Sequence, residues 1–442
     1  MSIISYGLYA LKIKTSIVSE LVKQQEQSQW FSRINLRKLQ YEQLRLLAEH
    51  CSRHSTWFSR RLMAAGIEPN DLVKPSSLAK LPVMERSDIQ LAQDLFCDMV
   101  PNTHGAVASS ATSGSTGEPV VVNRTILNHY CWLAATMRSH YWCKSDFSKP
   151  LAVIRANLFE VTNNKSWGSP VSLLHASGVS MGIPITKTGE ELFEILFKFK
   201  PSSILMFPGS LASLIGYANT TDRKITSIEV IRTLGETVTK ELRELTQKTF
   251  GRPIQDSYSS QEFGCIALQC PQSEQYHIMA ENLIVEVLDE KGRACKSGQI
   301  GRIVITDLLN YATPLVRYAI GDYAEVGTSC ECGRGLPTLK RILGRERNLI
   351  LMPDGRRHWP LVGFDKFRAI APVRQYQLIQ KTLDVIEVRL FVERGLTLGE
   401  EAELATHIKK SLGHDFTIEF NYFEDRLPAG ASGKFEEFLC LV

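Results

Sequence analysis

Ser109-Ser110-Ala111-Thr112-Ser113-Gly114-Ser115-Thr116-Gly117-Glu118-Pro119 is the stretch on which the reading of this chain turns. Its glycines and hydroxyls alternate at the spacing of a loop that wraps a polyphosphate. Glycine lets the backbone turn its N–H groups toward phosphate oxygens with no Cβ in the way, and Ser and Thr add hydroxyl donors. On this reading Thr112, Ser113, Gly114, Ser115, Thr116 and Gly117 grip the phosphates of a nucleoside triphosphate. No Gly-Lys-Ser/Thr closes the run, which excludes the Walker arrangement. Taken alone, the same composition also describes a flexible Ser/Gly linker.

The rest of the chain sets the frame for that loop. With 442 residues it is long for a single core and comfortable for two unequal domains. At 44% hydrophobic and 22% charged, it has the composition of an ordinary soluble globular protein. Lys and Arg number 51 against 47 Asp and Glu, a net charge of +4 that is too mild to point to nucleic acid. No apolar run approaches the roughly 20 residues of a membrane span, and no signal peptide stands out. Ten scattered cysteines fit a reducing cytoplasm better than a disulfide framework.

Leu36, Leu39, Leu44, Leu47 and Cys51 recur at helical spacing and Gly66 follows, which predicts an N-terminal helical layer. Beyond Pro101, the short apolar runs 151–154, 204–207 and 228–231 alternate with helix-like stretches such as 190–200. That alternation predicts α/β layering with partly buried parallel strands. The runs 283–288 and 303–305, separated by a charged, glycine-containing turn, predict a β-rich hairpin or small barrel. A boundary falls at Gly344-Arg345-Glu346-Arg347-Asn348, after which about a hundred residues are enough for a separate module. The expected architecture is therefore α/β: a large domain over 1–343 with layered sheets and helices and a β-rich part, then a small α+β domain over 344–442.

Further signals follow the loop in a fixed order: Tyr258-Ser259-Ser260-Gln261-Glu262, Arg317-Tyr318-Ala319-Ile320-Gly321-Asp322, Gly344-Arg345, and Gly430-Ala431-Ser432-Gly433-Lys434. Each is weak alone and the ordered set is strong. Together they resemble the adenylate-forming superfamily of acyl-CoA synthetases and adenylation domains. The nearest likeness is to the phenylacetate-CoA ligase branch, including relatives from capsular-polysaccharide genes. It covers most of the chain, from the helical region near Leu36 to the terminal lysine.

The resemblance implies an ATP-dependent, AMP-forming ligase with a mobile C-terminal domain, and it implies roles for individual residues. Glu262 holds Mg²⁺ against the phosphates, a task suited to a hard carboxylate oxygen. Tyr258 lines the adenine, and Gly235-Glu236-Thr237 lets the adenine edge meet the backbone. Asp322 accepts both ribose hydroxyls, as an ionised carboxylate does for a vicinal diol. Arg345 approaches the ribose, and Arg347 stands at the hinge where relatives carry Asp or Lys. Lys434 offsets the negative charge that develops between carboxylate and α-phosphate. Two further departures from the family pattern are Val120, where relatives carry a lysine that Arg124 is placed to replace, and Gln261, where they carry Thr or Ser. These departures motivate a competing reading as a degenerate nucleotide-binding protein.

A second constellation is independent of ATP. Cys270, His277, Cys330 and Cys332 supply three thiols and an imidazole, a donor set suited to a closed, tetrahedral, structural zinc site. Cys265 is an alternative ligand, and ordinary unliganded cysteines are the plain alternative.

For the acid, Phe207-Pro208-Gly209-Ser210 is expected to wall the acyl pocket, with Trp132, Trp142, Trp167 and His175 as further candidates. The acceptor is coenzyme A or an amine. The turn Pro353-Asp354-Gly355 and the patch Arg356-Arg357-His358 stand where CoA ligases usually build their pantetheine tunnel, which brings the amine into consideration.

Overall fold

Two serines set the boundaries of the N-terminal helices in the computed structural model of the chain, which describes residues 3–92, 94–111, 119–345, 348–358, 360, 362, 364–424, 427–428 and 435–442. The helix Ile3–Ser28 comes first. The Ser32 side chain then accepts the Asn35 amide and opens the helix Arg33–His54, and Ser55 accepts the Phe58 amide and opens Thr56–Ala64. Each hydroxyl satisfies an amide that the first helical turn leaves without a partner. Leu44, Leu47 and Cys51 pack against Phe58 and Leu62, while Leu36 joins the main core. Leu39 departs from its predicted place and is 47% exposed. The buried arc runs instead through Tyr41 and Ala48, which puts Leu39 on the far side of the helix. Gly66 ends the layer at φ +61°, a conformation glycine adopts without strain.

The chain divides into two compact units, Met1–Gly235 with Thr246–Ile342 and Glu236–Leu245 with Leu343–Val442. In the first, β1 (Val107–Ala111) and β2 (Val121–Thr125) form a two-stranded antiparallel hairpin. A large sheet follows, built from β3 (Leu151–Arg155), β4 (Thr162–Asn164), β5 (Ser180–Pro184), β6 (Ser203–Met206), β7 (Val230–Leu234), β8 (Ile254–Ser260), β9 (Gly264–Gln269), β10 (Tyr276–Ile278), β11 (Leu283–Leu288), β12 (Ile300–Asp307), β13 (Tyr318–Val326) and β14 (Thr338–Arg345). Its spatial order is β11-β12-β13-β14-β10-β9-β8-β7-β6-β3-β5-β4. Strands β5, β3, β6, β7 and β8 run parallel. From β8 onward the observed pairings are antiparallel, including the predicted hairpin in which Leu283 meets Asp307 and Leu288 meets Arg302. The run expected at 228–231 begins its strand two residues later, at Val230.

Helices cover the parallel half. Thr125 caps the helix Ile126–Trp142 in a reciprocal box with Asn128, and Thr188 does the same for Gly189–Phe199 with Glu191. Arg138, 1% exposed in the middle of the first of these, pairs with Glu281 at 2.8 Å. Ser28 donates to the same carboxylate at 2.6 Å, and Arg138 also donates to the Gln25 carbonyl. Burial opposes the Glu281 charge, but Arg138 and Ser28 more than offset it and hold the carboxyl below its ordinary value. This network fastens the helix Ile3–Ser28 to the sheet's covering layer.

The second unit is a smaller α+β body. After the short ribbon β15 (Ile350–Leu351) and β16 (Arg357–His358), a four-stranded sheet is formed by β17 (Val373–Gln380), β18 (Val385–Val392), β19 (Thr417–Phe423) and β20 (Phe438–Cys440), in the order β19-β18-β17-β20. The helix Leu398–Leu412 is opened by a Thr397–Glu400 capping box and closed by Gly413 at φ +75°. It buries Leu404, Ile408 and Leu412 in a core with Phe367, Leu378 and Val388. Pro353-Asp354-Gly355 is the tip of the β15–β16 ribbon, where Asp354 accepts the Arg356 amide and Gly355 sits at φ +82°. Among the described residues, no helix is long and apolar enough to cross a membrane.

Candidate active site and metal centre

Parallel strands end together, and the carboxyl edge of such a sheet is where α/β proteins gather ligand-binding loops. Here that edge carries Phe207 after β6, Gly235 after β7 and Tyr258 near the end of β8. Gly235 has φ +84°, and a Cβ there would lie 3.1 Å from Phe207 Cε1, so both backbone conformation and space require glycine. Phe207 itself is the cap of the helix Pro208–Ala218, one residue beyond its strand.

The Tyr258 hydroxyl donates to Asp322 Oδ2 at 2.6 Å, and each residue is only 9% exposed. The two residues that sequence reading assigned to adenine and ribose are thus brought together from β8 and β13. Arg317, just before β13, sits at φ +55° and is 4% exposed. Its guanidinium makes a forked pair with Glu286, at 2.9 Å through Nε and 3.1 Å through Nη2, and also donates to the Ala79 and Leu81 carbonyls. The Arg317 carbonyl accepts the Met84 amide, and the Met84 carbonyl accepts Ala319 N, so the start of β13 is held on both faces.

Beneath Tyr258, the buried Asp256 accepts Thr233 Oγ1 at 2.6 Å and Tyr276 OH at 2.8 Å, which ties β7, β8 and β10 into one block. Neither Asp256 nor Arg317 was given a role from sequence. A charge inside an apolar strand was the available signal.

Glu262 is 6% exposed and its carboxylate takes no hydrogen bond or ion pair among the described residues. A carboxylate so placed is a hard oxygen donor still available to a cation. The donor chemistry therefore fits the predicted Mg²⁺ ligand. Next to it, the Gln261 carbonyl accepts Arg124 Nη1 at 3.3 Å, so Arg124 does lie beside the glutamate.

Thr112 to Gly117 lie outside the described residues, as do Arg347 and Lys434. The hairpin that carries the 112–118 segment is well held: Ala111 pairs with Val121 at its tip. Asn123 donates its amide to Thr313 Oγ1, and its carbonyl accepts from Thr313 and Asn310. Arg345 is exposed, with its amide on Asn348 Oδ1 at 3.0 Å, and Glu236 opens the segment that belongs to the second unit.

Cys270, His277, Cys330 and Cys332 meet as their types predicted, with ligand atoms all within 4.8 Å of one another. Cys270 follows β9, His277 lies in β10, and both other cysteines sit in the loop between β13 and β14. Cys270 and Cys330 sulfurs are 3.6 Å apart, and Cys332 Sγ is 3.2 Å from His277 Nε2. Burial pulls His277 down to about 4, with the Leu336 backbone working the other way without satisfying Nδ1. The imidazole is therefore neutral near pH 7, the form that ligates a metal. Three thiols and a neutral imidazole at this spacing fit a closed zinc site. Cys265 is not part of the group; it lines a separate cavity beside Arg124.

Of the aromatic candidates for the acid pocket, Trp132 lines that same cavity. Trp142 packs instead against His277 and donates to Gln29, while Trp167 is core and donates to the Lys149 carbonyl. His175 bonds the Tyr141 hydroxyl at 2.8 Å.

Comparison with known proteins adds relatives of the same fold. The family model described as CapK C-terminal domain matches residues 364–438. The phenylacetate-coenzyme A ligase of Thermus thermophilus is 24% identical over 380 residues, 81% of this chain and 82% of its own length. That of Escherichia coli is also 24% identical, over 83% of this chain and 85% of its own. Protein CapK of Staphylococcus aureus is 23% identical over 60% of this chain and 56% of its own length. Among solved structures, 2-hydroxyisobutyryl-CoA ligase in the postadenylation state superposes with a TM-score of 0.73 at 17% identity, over 91% of this chain and 88% of that one. The chain is thus similar over most of its length to phenylacetate-coenzyme A ligases, resembles the CapK C-terminal domain over residues 364–438, and shares the fold of 2-hydroxyisobutyryl-CoA ligase.

Proposed function

We propose that this protein activates a carboxylic acid with ATP as an acyl-adenylate and passes the acyl group to coenzyme A. The observation that carries the reading is the Tyr258–Asp322 hydrogen bond together with Glu262, four residues after Tyr258, nearly buried and with no carboxylate partner among the described residues.

In the first step an acid oxygen forms a bond to the α-phosphorus of ATP, and the bond to pyrophosphate breaks. Two anions must meet, so positioning and positive charge supply most of the acceleration. Asp322, oriented by Tyr258, accepts the ribose hydroxyls, and Gly235 leaves the backbone open to the adenine edge. Thr112 to Gly117 hold the departing pyrophosphate. Glu262 would hold Mg²⁺, which would supply positive charge to offset that of the phosphates. Lys434 balances the charge between carboxylate and α-phosphate, and Arg345 attends the ribose. In the second step the CoA thiol attacks the acyl carbon and AMP departs.

The zinc reading stands beside this as a structural one: Cys270, His277, Cys330 and Cys332 fill all four positions, which leaves none open for substrate.

The test is product analysis after incubation with ATP, Mg²⁺, CoA and single acids, with amines replacing CoA in a parallel series. The reading predicts AMP, pyrophosphate and an acyl-CoA thioester in equal amounts. An amide formed in place of the thioester would keep the adenylation and overturn the acceptor.

A further inference from the structure

Away from the metal centre, a second pair of thiols lies in contact. Cys97 Sγ is 3.7 Å from Cys51 Sγ, where the helix Arg33–His54 meets the segment 94–98. The two stand 46 positions apart in the chain, so the fold itself brings them together. Cys51 is 0% exposed and packs with Leu44, Leu47 and Phe58, whereas Cys97 is half-buried at the edge of the same cluster. Core filling by a small apolar side chain accounts for Cys51. It gives no reason for a second thiol on the solvent side of the same contact.

The segment that carries Cys97 is tied down on both sides of it. The Asp94 carbonyl accepts the Trp57 amide at 3.2 Å, and the Leu95 carbonyl accepts Ser55 Oγ at 2.7 Å. The Asp98 amide donates to the His54 carbonyl at 2.9 Å, and the Asp98 carboxylate lies 2.8 Å from His54 Nδ1. The Cys97 amide itself donates to the Ala312 carbonyl at 3.0 Å. With its flanks fastened to residues 54, 55 and 57, just beyond Cys51, the Cys97 thiol is held against its partner at a high effective concentration. A disulfide bond measures about 2.05 Å, so from 3.7 Å the two sulfurs have roughly 1.7 Å to close between them.

The two sulfurs are suited to different tasks. Burial, with the neighbouring Cys97 adding to it, pushes the Cys51 thiol well above its ordinary value, so Cys51 keeps its proton. A buried, protonated thiol is inert toward an oxidant in solution, and the partly exposed one meets it first. We infer that Cys97 is an oxidation site for peroxides and that Cys51 captures the product as a disulfide. A peroxide gives one oxygen to Cys97, which becomes a sulfenic acid, and leaves as water or an alcohol. The Cys51 sulfur then bonds to the Cys97 sulfur, the S–O bond breaks, and the Cys51 proton departs with the hydroxyl as water. Each sulfur is oxidised by one electron and the peroxide is reduced by two; a thiol reductant restores the pair. None of the residues assigned to adenylation takes part.

The experiment treats the folded full chain with a small molar excess of hydrogen peroxide, alkylates the remaining thiols and maps the unreduced peptides by mass spectrometry. The peptides carrying Cys51 and Cys97 should appear joined, two hydrogens lighter than their sum, as the most abundant cysteine link, and dithiothreitol should part them. In urea that preference should vanish, because the unfolded chain no longer holds the two together. Cys51→Ala should leave a sulfenic acid on Cys97 that dimedone captures, and Cys97→Ala should leave Cys51 unoxidised. Should either variant fail to fold, the peptide map of the native chain still decides. Native protein in which Cys51 and Cys97 stay free while other cysteines oxidise, including a link confined to Cys270 and Cys330, would overturn the assignment. So would Cys97 carried on to sulfinic acid with no link to Cys51.

Discussion

Tyr258 gives its one hydroxyl proton to Asp322, and that single contact aims a buried carboxylate. Tyr258→Phe keeps the ring and deletes the donor, so we expect a stability loss of about 1.5–3 kcal/mol in urea unfolding and a several-fold higher KM for ATP. Asp307 behaves differently because burial raises it from 3.8 to about 6. Between those values the folded chain holds a proton that the unfolded chain has lost, so stability falls as pH rises through that window. Asp307→Asn should flatten this slope and gain on the order of 1–3 kcal/mol at pH 7.5, read by thermal unfolding at pH 4.5 and 7.5. Unchanged slope in the variant would show that Asp307 is not the titrating group. At this scale the sequence was readable where residue types form a recognisable set, as with the three cysteines and His277, which meet, and with Tyr258 and Asp322, which touch. It was mute on Asp307, Arg317 and Asp256, whose burial and partners come from strands far apart in the chain.

The hairpins that present the cysteines show what one element lends another. Cys270 and His277 come from β9 and β10, Cys330 and Cys332 from the loop that precedes β14, and β10 pairs with both β9 and β14. A metal held by these four residues would tie the loop to the sheet that also carries Asp322 on β13. Purified protein should contain about one zinc per chain, Cys332→Ser should lose it, and chelation should lower the melting temperature with the same cysteines required. Metal-free protein of undiminished stability would refute the site. Periodicity foretold the elements well where burial is one-sided, as in Glu190–Lys200 and Leu283–Leu288. It misplaced Leu39 and the start of β7, because which arc of a helix is buried, and where a strand first finds its neighbour, are decided by packing and not by the local pattern.

Across the whole molecule, the chain forms two compact units and is similar over more than four-fifths of its length to the phenylacetate-coenzyme A ligases of T. thermophilus and E. coli. The expected site runs in sequence from the hydroxyl and glycine loop through Tyr258, Glu262 and Asp322 to Lys434, an order that sequence can propose because each chemistry requires a particular residue type. Which acid and which acceptor were not legible, since such a choice is made by pocket walls assembled from residues far apart in the chain. Val120, Gln261 and Arg347 depart from the superfamily pattern, and an active enzyme would show that these departures are tolerated. The most direct measurement of the central claim is acid-dependent exchange of labelled pyrophosphate into ATP, run with the native chain and with Lys434→Ala. The account predicts exchange that requires acid and Mg²⁺ and falls by at least about 100-fold in the variant, with ATP binding retained. Exchange that persists undiminished in Lys434→Ala, or none in the native chain across a broad panel of acids, would contradict it.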